Sequence, residues 1–346
     1  MRISEMSGTR IAAALLVGLL ACGTASHAAV VRLKIATLAP DGTTWMKEMR
    51  AAGEALKQRT DGRVELKFYP GGVMGNDATV LRKIQIGQLQ GGAVTVLALA
   101  RVFPDSQLYG LPLLFRSYAE VDYVRARMDP IIMEGLAANG MIAFGLVEGG
   151  FAYLMSAAPV RGIADLKSEK VWAPEGDAIT PTLFKAAGIA PVVLPLADVY
   201  TGLQTGLVSA VGISASGAIA LQWYAKTKYL TDVPIYYTAG ALVIDRRAFE
   251  RLAPADRESV REVLTPAFRM LDRASRRDDE AARAALKNQG IEIIRPDPVA
   301  LAEFERVAAE AREEIGKKGL YTPAQLQALE GHLRDFRAKA NAPGGR

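Results

Sequence analysis

The sequence predicts an α/β fold, and three observations support this prediction. β-prone stretches alternate with helical patterns along most of the chain, as in proteins whose helices cover a sheet. The apolar segment 93–100 suits a strand buried on both faces of a parallel sheet. A helical pattern of about 35 residues runs from Pro254 to about Asn288, which corresponds to about 52 Å of helix.

The first part of the chain is predicted to alternate strands, loops and helices. Residues 31–37 alternate as in a strand, and 39–44 form a turn that caps a helix from Trp45 to about Thr60. Asp61-Gly62 breaks that helix. The remaining elements are a strand at 64–69, a glycine-rich loop at 71–75 with a helix to about 87, a helix ending at 136–139, and an extended stretch at 141–155 broken by Gly149-Gly150.

The second part repeats this alternation before the long helix. We predict strands at 170–173, 191–194, 209–213 and 235–244, and helices after Thr180 and at 199–205. Pro266 removes a hydrogen bond inside the long helix and is expected to kink it or split it in two. Helices at 297–317 and after 322 complete the prediction.

The first 28 residues have the layout of a secretory signal. Arg2 and Arg10 precede an apolar run from 11 to 22, and small residues follow up to Ala28. The run is shorter than a membrane span, which needs about 20 apolar residues. We therefore predict export to the periplasm, with Cys22 as a possible lipid anchor because Leu19-Leu20-Ala21-Cys22 resembles a lipoprotein box.

Composition excludes several classes of function. A chain of 346 residues with 50% hydrophobic and 23% charged residues is expected to fold. Cleavage after Ala28 leaves no cysteine and only His332, so thiolate, Ser-His-Asp and histidine-metal chemistry are not expected. The net charge of +5 is interleaved with acids, as at 273–283, which does not predict nucleic-acid binding. No phosphate loop or dinucleotide motif occurs, and no cofactor or metal is predicted.

Several motifs in a specific order resemble the solute-binding subunits of tripartite ATP-independent periplasmic (TRAP) transporters. The motifs are Leu38-Ala39-Pro40, Phe68-Tyr69-Pro70-Gly71-Gly72 with Gly75-Asn76-Asp77, Leu111-Pro112-Leu113-Leu114-Phe115-Arg116, Asp165-Leu166-Lys167, Val171-Trp172-Ala173-Pro174 and Asp198-Val199-Tyr200-Thr201-Gly202-Leu203-Gln204-Thr205-Gly206. Each one is weak alone, and their order and spacing give the resemblance its specificity.

The resemblance implies a two-domain periplasmic binding protein fold of type II-like architecture, with crossing strands and a long domain-spanning helix. We expect domain I to comprise residues 29–150 plus 234–275, and domain II residues 151–233 plus 276–346. The implied function is capture of a small organic solute, an organic acid or an aromatic or apolar compound, and its delivery to integral-membrane TRAP subunits driven by an ion gradient. The sequence leaves monomer and homodimer both open.

This chain departs from the family at positions that usually carry charge. Trp172 stands where members that bind organic acids usually place an arginine for a bidentate carboxylate contact. Ala152 occupies a second position that is often basic, and Gly212-Ile213 replaces a commonly polar pair. We therefore expect a solute with a ring or an apolar body, held by an aromatic surface.

Fourteen residues are candidates for ligand contact, on their place in the predicted cleft. They are Asp41, Trp45, Asp77, Thr95, Glu148, Phe151, Tyr153, Trp172, Glu175, Asp177, Leu196, Tyr200, Ile213 and Ser214. The alternatives are packing for Trp172 and Tyr200, helix capping for Glu175 and Asp177, and a hinge ion pair for Glu148.

Two other functions remain open at this level. The same clamp serves a ligand-sensing receptor, which its neighbouring genes would distinguish from a transporter subunit. An exported lyase or isomerase would need a base such as Glu148 or Asp177, and the chain shows no nucleophile constellation to support it. The prediction is a binding protein and not an enzyme.

Overall fold

The structure is a computed structural model that describes residues 30–340. The predicted signal segment 1–28, including Cys22, lies outside the described residues, as do residues 341–346. Residues 31–340 belong to one compact unit. In the range 30–340, no helix combines the length and the hydropathy that a membrane span requires.

The strands, in chain order, are β1 (Val31–Thr37), β2 (Val64–Tyr69), β3 (Gly91–Thr95), β4 (Met141–Ala143), β5 (Val147–Ser156), β6 (Trp172–Pro174), β7 (Val192–Leu194), β8 (Ala210–Ile213), β9 (Tyr229–Asp245) and β10 (Glu292–Ile294). The helices are α1 (Thr44–Arg59), α2 (Asp77–Gln85), α3 (Val96–Leu99), α4 (Tyr118–Ala138), α5 (Ile163–Leu166), α6 (Ile179–Ala186), α7 (Val199–Thr205), α8 (Ala215–Ala220), α9 (Arg246–Glu250), α10 (Pro254–Asn288), α11 (Pro298–Lys317) and α12 (Pro323–Ala340). Short 3-10 turns lie at Pro104–Gly110, Leu196–Asp198 and Trp223–Lys226.

The main sheet is mixed, in the order β2-β1-β3-β9-β5-β8, with β4 and β10 also paired to β9. β1 runs parallel to β2 and β3. β9 is antiparallel to both β3 and β5, and β5 is antiparallel to β8. β6 and β7 form a separate parallel pair. The α/β prediction is confirmed, but the purely parallel environment predicted for segment 93–100 is wrong, because β3 is antiparallel to β9.

Some strands begin or end at residues other than the predicted ones. The strand predicted to reach Ala100 ends at Thr95, because the Thr95 hydroxyl accepts a hydrogen bond from the Ala98 amide and starts α3. β9 begins at Tyr229, six residues before its predicted start, and contains Pro234. Helix α10 spans the predicted range unsplit, with Pro266 inside it.

Two long elements, β9 and α10, connect several parts of the fold. At one end of β9, Tyr229 pairs with Ser156 of β5, and at the other end Ile244 pairs with Gly91 of β3. Helix α10 packs against α1, α8 and β5. These are the crossing strands and the long spanning helix that the fold class predicted.

Candidate functional site

A cleft of about 890 Å³ opens along the crossing strands. Its walls come from the loop before α1, the start of α2, the end of β3 with α3, the bulge in β5, the segment from β6 to α6, the turn after β7, the segment from β8 to α8, and the middle of α10. The cleft therefore draws on segments from both predicted domains.

Eleven of the fourteen candidate residues line this cleft. They are Asp41, Trp45, Asp77, Thr95, Glu148, Trp172, Glu175, Asp177, Leu196, Ile213 and Ser214. The geometry brings them together around one cavity, and their contact with a ligand remains a prediction.

The structure does not place Phe151 and Tyr153 in the cleft lining. Both lie on β5 and belong to the main core cluster. The Phe151 ring packs against Tyr118 at 4.9 Å and Tyr237 at 5.6 Å between ring centroids. The Tyr153 ring lies under the Arg283 guanidinium, 4.6 Å from its centroid. These two candidates are corrected to core residues.

Tyr200 is also absent from the cleft lining. It lies in the first turn of α7, where its half-buried ring packs against the core. The Lys226 ammonium sits 5.8 Å from the ring centroid. The packing alternative therefore describes Tyr200.

Trp172 borders the cleft but is mainly a core residue. Only 4% of it is exposed, and its ring meets Trp223 edge to face with centroids 5.2 Å apart. The indole Nε1 donates a hydrogen bond to the Leu194 carbonyl of β7 at 3.0 Å. Most of the indole surface is thus occupied by the protein itself.

Glu148 forms the ion pair that was its alternative role. Its side chain is buried, its Oε2 lies 2.6 Å from Arg276 Nη2, and the Tyr237 hydroxyl donates to the same oxygen at 3.2 Å. Arg276 also pairs with Asp122 at 2.8 Å. The pair ties β5 to α10 and α4 beside the cleft, so the Glu148 carboxylate is already neutralised.

Asp177 caps the helix that follows it. Its carboxylate accepts hydrogen bonds from the Ile179 amide at 2.8 Å, the Thr180 amide at 3.3 Å and the Thr180 hydroxyl. Burial raises the pKa of this carboxyl, although the hydrogen bonds from Thr180 and Ile179 oppose the shift. The capping alternative therefore describes Asp177, and its oxygens are engaged with the start of α6.

Two other acidic residues in the cleft lining, Asp77 and Asp41, also have partners within the protein. Asp77 accepts hydrogen bonds from the Thr95 amide at 3.0 Å and the Thr95 hydroxyl at 2.9 Å. Burial raises the pKa of Asp77. Asp41 pairs with Arg50 of α1 at 2.7 Å. The first set of contacts ties the start of α2 to the end of β3, and the second joins the loop after β1 to α1.

Two contacts missed by the sequence interpretation cross the cleft beside Glu175. Asn76, which also caps α2, donates a side-chain hydrogen bond to the Glu175 carboxylate. Arg101 Nη2 lies 3.5 Å from the Gly176 carbonyl oxygen. Asn76 was visible within the motif before α2. Arg101 was overlooked because segment 93–100 was interpreted as a continuous strand.

Glu148 and Asp177, the two carboxylates considered as catalytic bases, both have their oxygens occupied. Across residues 30–340, no group of three or more His, Cys, Asp or Glu side chains is arranged to hold a metal ion. The arrangement is that of a lined cavity with fixed walls, which suits the binding of a small molecule.

The family model for bacterial extracellular solute-binding protein, family 7, matches residues 35–318. The chain is 24% identical over 243 residues to the 2,3-diketo-L-gulonate-binding periplasmic protein YiaO of Escherichia coli, covering 70% of this chain and 74% of that protein. It is 22% identical over 283 residues to the C4-dicarboxylate-binding periplasmic protein DctP of Rhodobacter capsulatus, covering 80% and 84%.

The fold is similar to that of a TRAP periplasmic solute-binding protein from Xanthobacter autotrophicus, solved with bound β-D-galacturonate. The TM-score is 0.79 at 20% identity, over 88% of this chain and 99% of that one. This likeness confirms the two-domain periplasmic binding protein fold.

Proposed function

The chain belongs to family 7 of the bacterial extracellular solute-binding proteins, and from this premise we propose that it captures a small organic solute in the cleft and delivers it to integral-membrane TRAP subunits. The observation that carries the proposal is the 890 Å³ cleft, with Glu148 and Asp177 already engaged. A cavity of this size is in the range of small-molecule sites. Relatives that bind 2,3-diketo-L-gulonate, C4-dicarboxylates and β-D-galacturonate support the organic-acid class.

We propose that the two domains have the boundaries given by the sequence, 29–150 plus 234–275 and 151–233 plus 276–346. The path of β9 supports this division, since it pairs with β5 at one end and with β3 at the other. The eleven candidate residues that line the cleft are proposed as ligand contacts. Export through the signal segment, with the protein working in the periplasm, completes the proposal.

Co-purification and calorimetry test the capture step. The protein is purified without added ligand, its bound solutes are released and identified by mass spectrometry, and the recovered solute is titrated back. We expect saturable binding, recovery of the solute unchanged, and a gain of about 2.7 kcal/mol in unfolding free energy at a hundred times the dissociation constant.

The delivery step needs a separate experiment with the membrane subunits. In vesicles that contain them, uptake of the identified solute should require both this protein and an ion gradient. Conversion of the solute to a product would contradict the proposal and favour an enzyme. Saturable binding without uptake would favour a sensing receptor.

A further inference from the structure

The charged side chains that line the cleft are strongly unbalanced. The described lining residues include six carboxylates, from Asp41, Asp77, Glu148, Glu175, Asp177 and Asp278, but a single guanidinium, from Arg101. Arg101 is exposed and forms no salt bridge within residues 30–340. Its contact is with the neutral Gly176 carbonyl at 3.5 Å, so most of its five N–H donors remain available.

The six carboxylates differ in how far their charge is compensated. Asp41 and Glu148 are neutralised by arginines that lie outside the cleft lining, Arg50 and Arg276. The other four have no basic partner within 4.0 Å among the described residues. Two of these four are Glu175, adjacent to Gly176, and the exposed Asp278. An anion entering the cleft is therefore attracted by Arg101 and repelled by the carboxylates that lack a basic partner.

Apolar side chains contribute to the cleft lining on several segments. Leu97 and Ala98, in the helical turn before Arg101, line the cleft, and Leu196 and Ile213 line the part contributed by the second predicted domain. Burying a hydrocarbon body against such walls is favourable by about 25 cal/mol per Å² of apolar surface. The cleft thus offers one cationic group beside apolar surface.

We infer that Arg101 is the carboxylate anchor of this cleft and that its solute is a monocarboxylate with an apolar body. The inference rests on the proposed function. An arginine binds a carboxylate through two parallel hydrogen bonds, and Arg101 supplies this contact from the loop after α3.

The same charge distribution excludes dicarboxylates. A second carboxylate on the solute would find no second cation in the described cleft lining, which also carries the carboxylates of Glu175, Asp177 and Asp278. Like charges at short range are unfavourable even near a protein surface, and repulsive contacts of this kind are a common source of specificity. Glu175 and Asp177 both flank Gly176, which Arg101 contacts. Glu175 is the better test of exclusion, because it is exposed and does not hold the start of α6 as Asp177 does.

Matched ligand pairs and variants test both parts of the inference. Calorimetry is performed with hexanoate against adipate and with benzoate against terephthalate, using wild type, Arg101→Gln and the control Arg82→Gln. Arg82 is an exposed arginine of neighbouring α2 outside the cleft lining. We expect the wild type to bind the preferred monocarboxylate at least tenfold more tightly than its dicarboxylate partner.

Arg101→Gln should weaken monocarboxylate binding at least tenfold, whereas Arg82→Gln should change it less than twofold. Both variants should unfold at the wild-type temperature without ligand, because both side chains are exposed. In Glu175→Gln the amide oxygen still accepts from Asn76. This variant should lower the ratio of the dicarboxylate to the monocarboxylate dissociation constant at least threefold.

The failures are distinguishable. Equal monocarboxylate affinity in wild type and Arg101→Gln would overturn the anchor while leaving solute capture intact. Dicarboxylates binding as tightly as monocarboxylates, or an unchanged preference in Glu175→Gln, would overturn the exclusion. A co-purified solute without a carboxylate would overturn the inference alone. A protein that binds no solute at all would refute the proposed function and the inference with it.

Discussion

Replacing Trp172 measures how far its indole belongs to the core. The side chain is 4% exposed and packs against Trp223, so Trp172→Ala removes a large buried ring and leaves a cavity. Such truncations cost about 3–5 kcal/mol of unfolding free energy. Trp172→Phe retains an aromatic ring and loses the hydrogen bond to the Leu194 carbonyl, which is worth about 1 kcal/mol net. That carbonyl still accepts from the Glu175 amide at 3.2 Å, which limits the loss.

The assay is urea unfolding of the ligand-free protein, followed by circular dichroism. Trp45→Ala is the matched control, because Trp45 also lines the cleft but is only half-buried. We expect the loss for Trp172→Ala to exceed the losses for Trp172→Phe and Trp45→Ala. A loss below about 1 kcal/mol for Trp172→Ala would refute its assignment to the core, and would leave a ligand-facing indole as the better description.

Two further predictions concern other residues near the cleft. Gly150 has φ +86°, and a Cβ there would lie 3.0 Å from the Asp279 carboxyl. Gly150→Ala should therefore destabilise the protein more than the control Gly62→Ala, because Gly62 has φ +77° but no atom within 4 Å of an added Cβ. The control should lower the free energy of unfolding in urea by about 1–2 kcal/mol, and equal losses for the two variants would contradict the close contact. Burial raises the pKa of Asp77 above 3.8, so the folded protein holds this proton more tightly than the unfolded chain. As pH falls from 7 towards 4, wild type should therefore gain unfolding free energy relative to Asp77→Asn, whose amide oxygen still accepts from the Thr95 amide; a relative loss on acidification would contradict the shift.

Local patterns predicted the regular elements well. Helix α1 begins where Thr43 caps it, and α10 has the predicted bounds, because periodicity and capping are properties of neighbouring residues. The end of β3 was misplaced for a tertiary reason. Apolar residues continue through segment 96–99 because α3 is buried, and an apolar run of that length does not distinguish a strand from a short buried helix.

The sequence motifs predicted most of the residues that line the cleft, but not the contacts that each of their side chains makes. Glu148 and Asp177 were placed correctly beside the cleft, while their engagement depends on Arg276, far away in sequence, and on the local start of α6. Phe151 and Tyr153 were expected at the cleft but pack in the core, against Tyr118, Tyr237 and Arg283, which are distant in sequence. Contacts between distant segments are not encoded in any local pattern.

Pro266 gives the long helix α10 a mechanical property. Proline has no amide hydrogen, so one main-chain hydrogen bond is missing within this otherwise continuous helix of 35 residues. Helix α10 packs against α1, β5 and α8. A displacement of α8 relative to α1 would therefore require α10 to bend between its contacts with these two helices. The turn that lacks this hydrogen bond is expected to bend more easily than the fully bonded turns on either side of it.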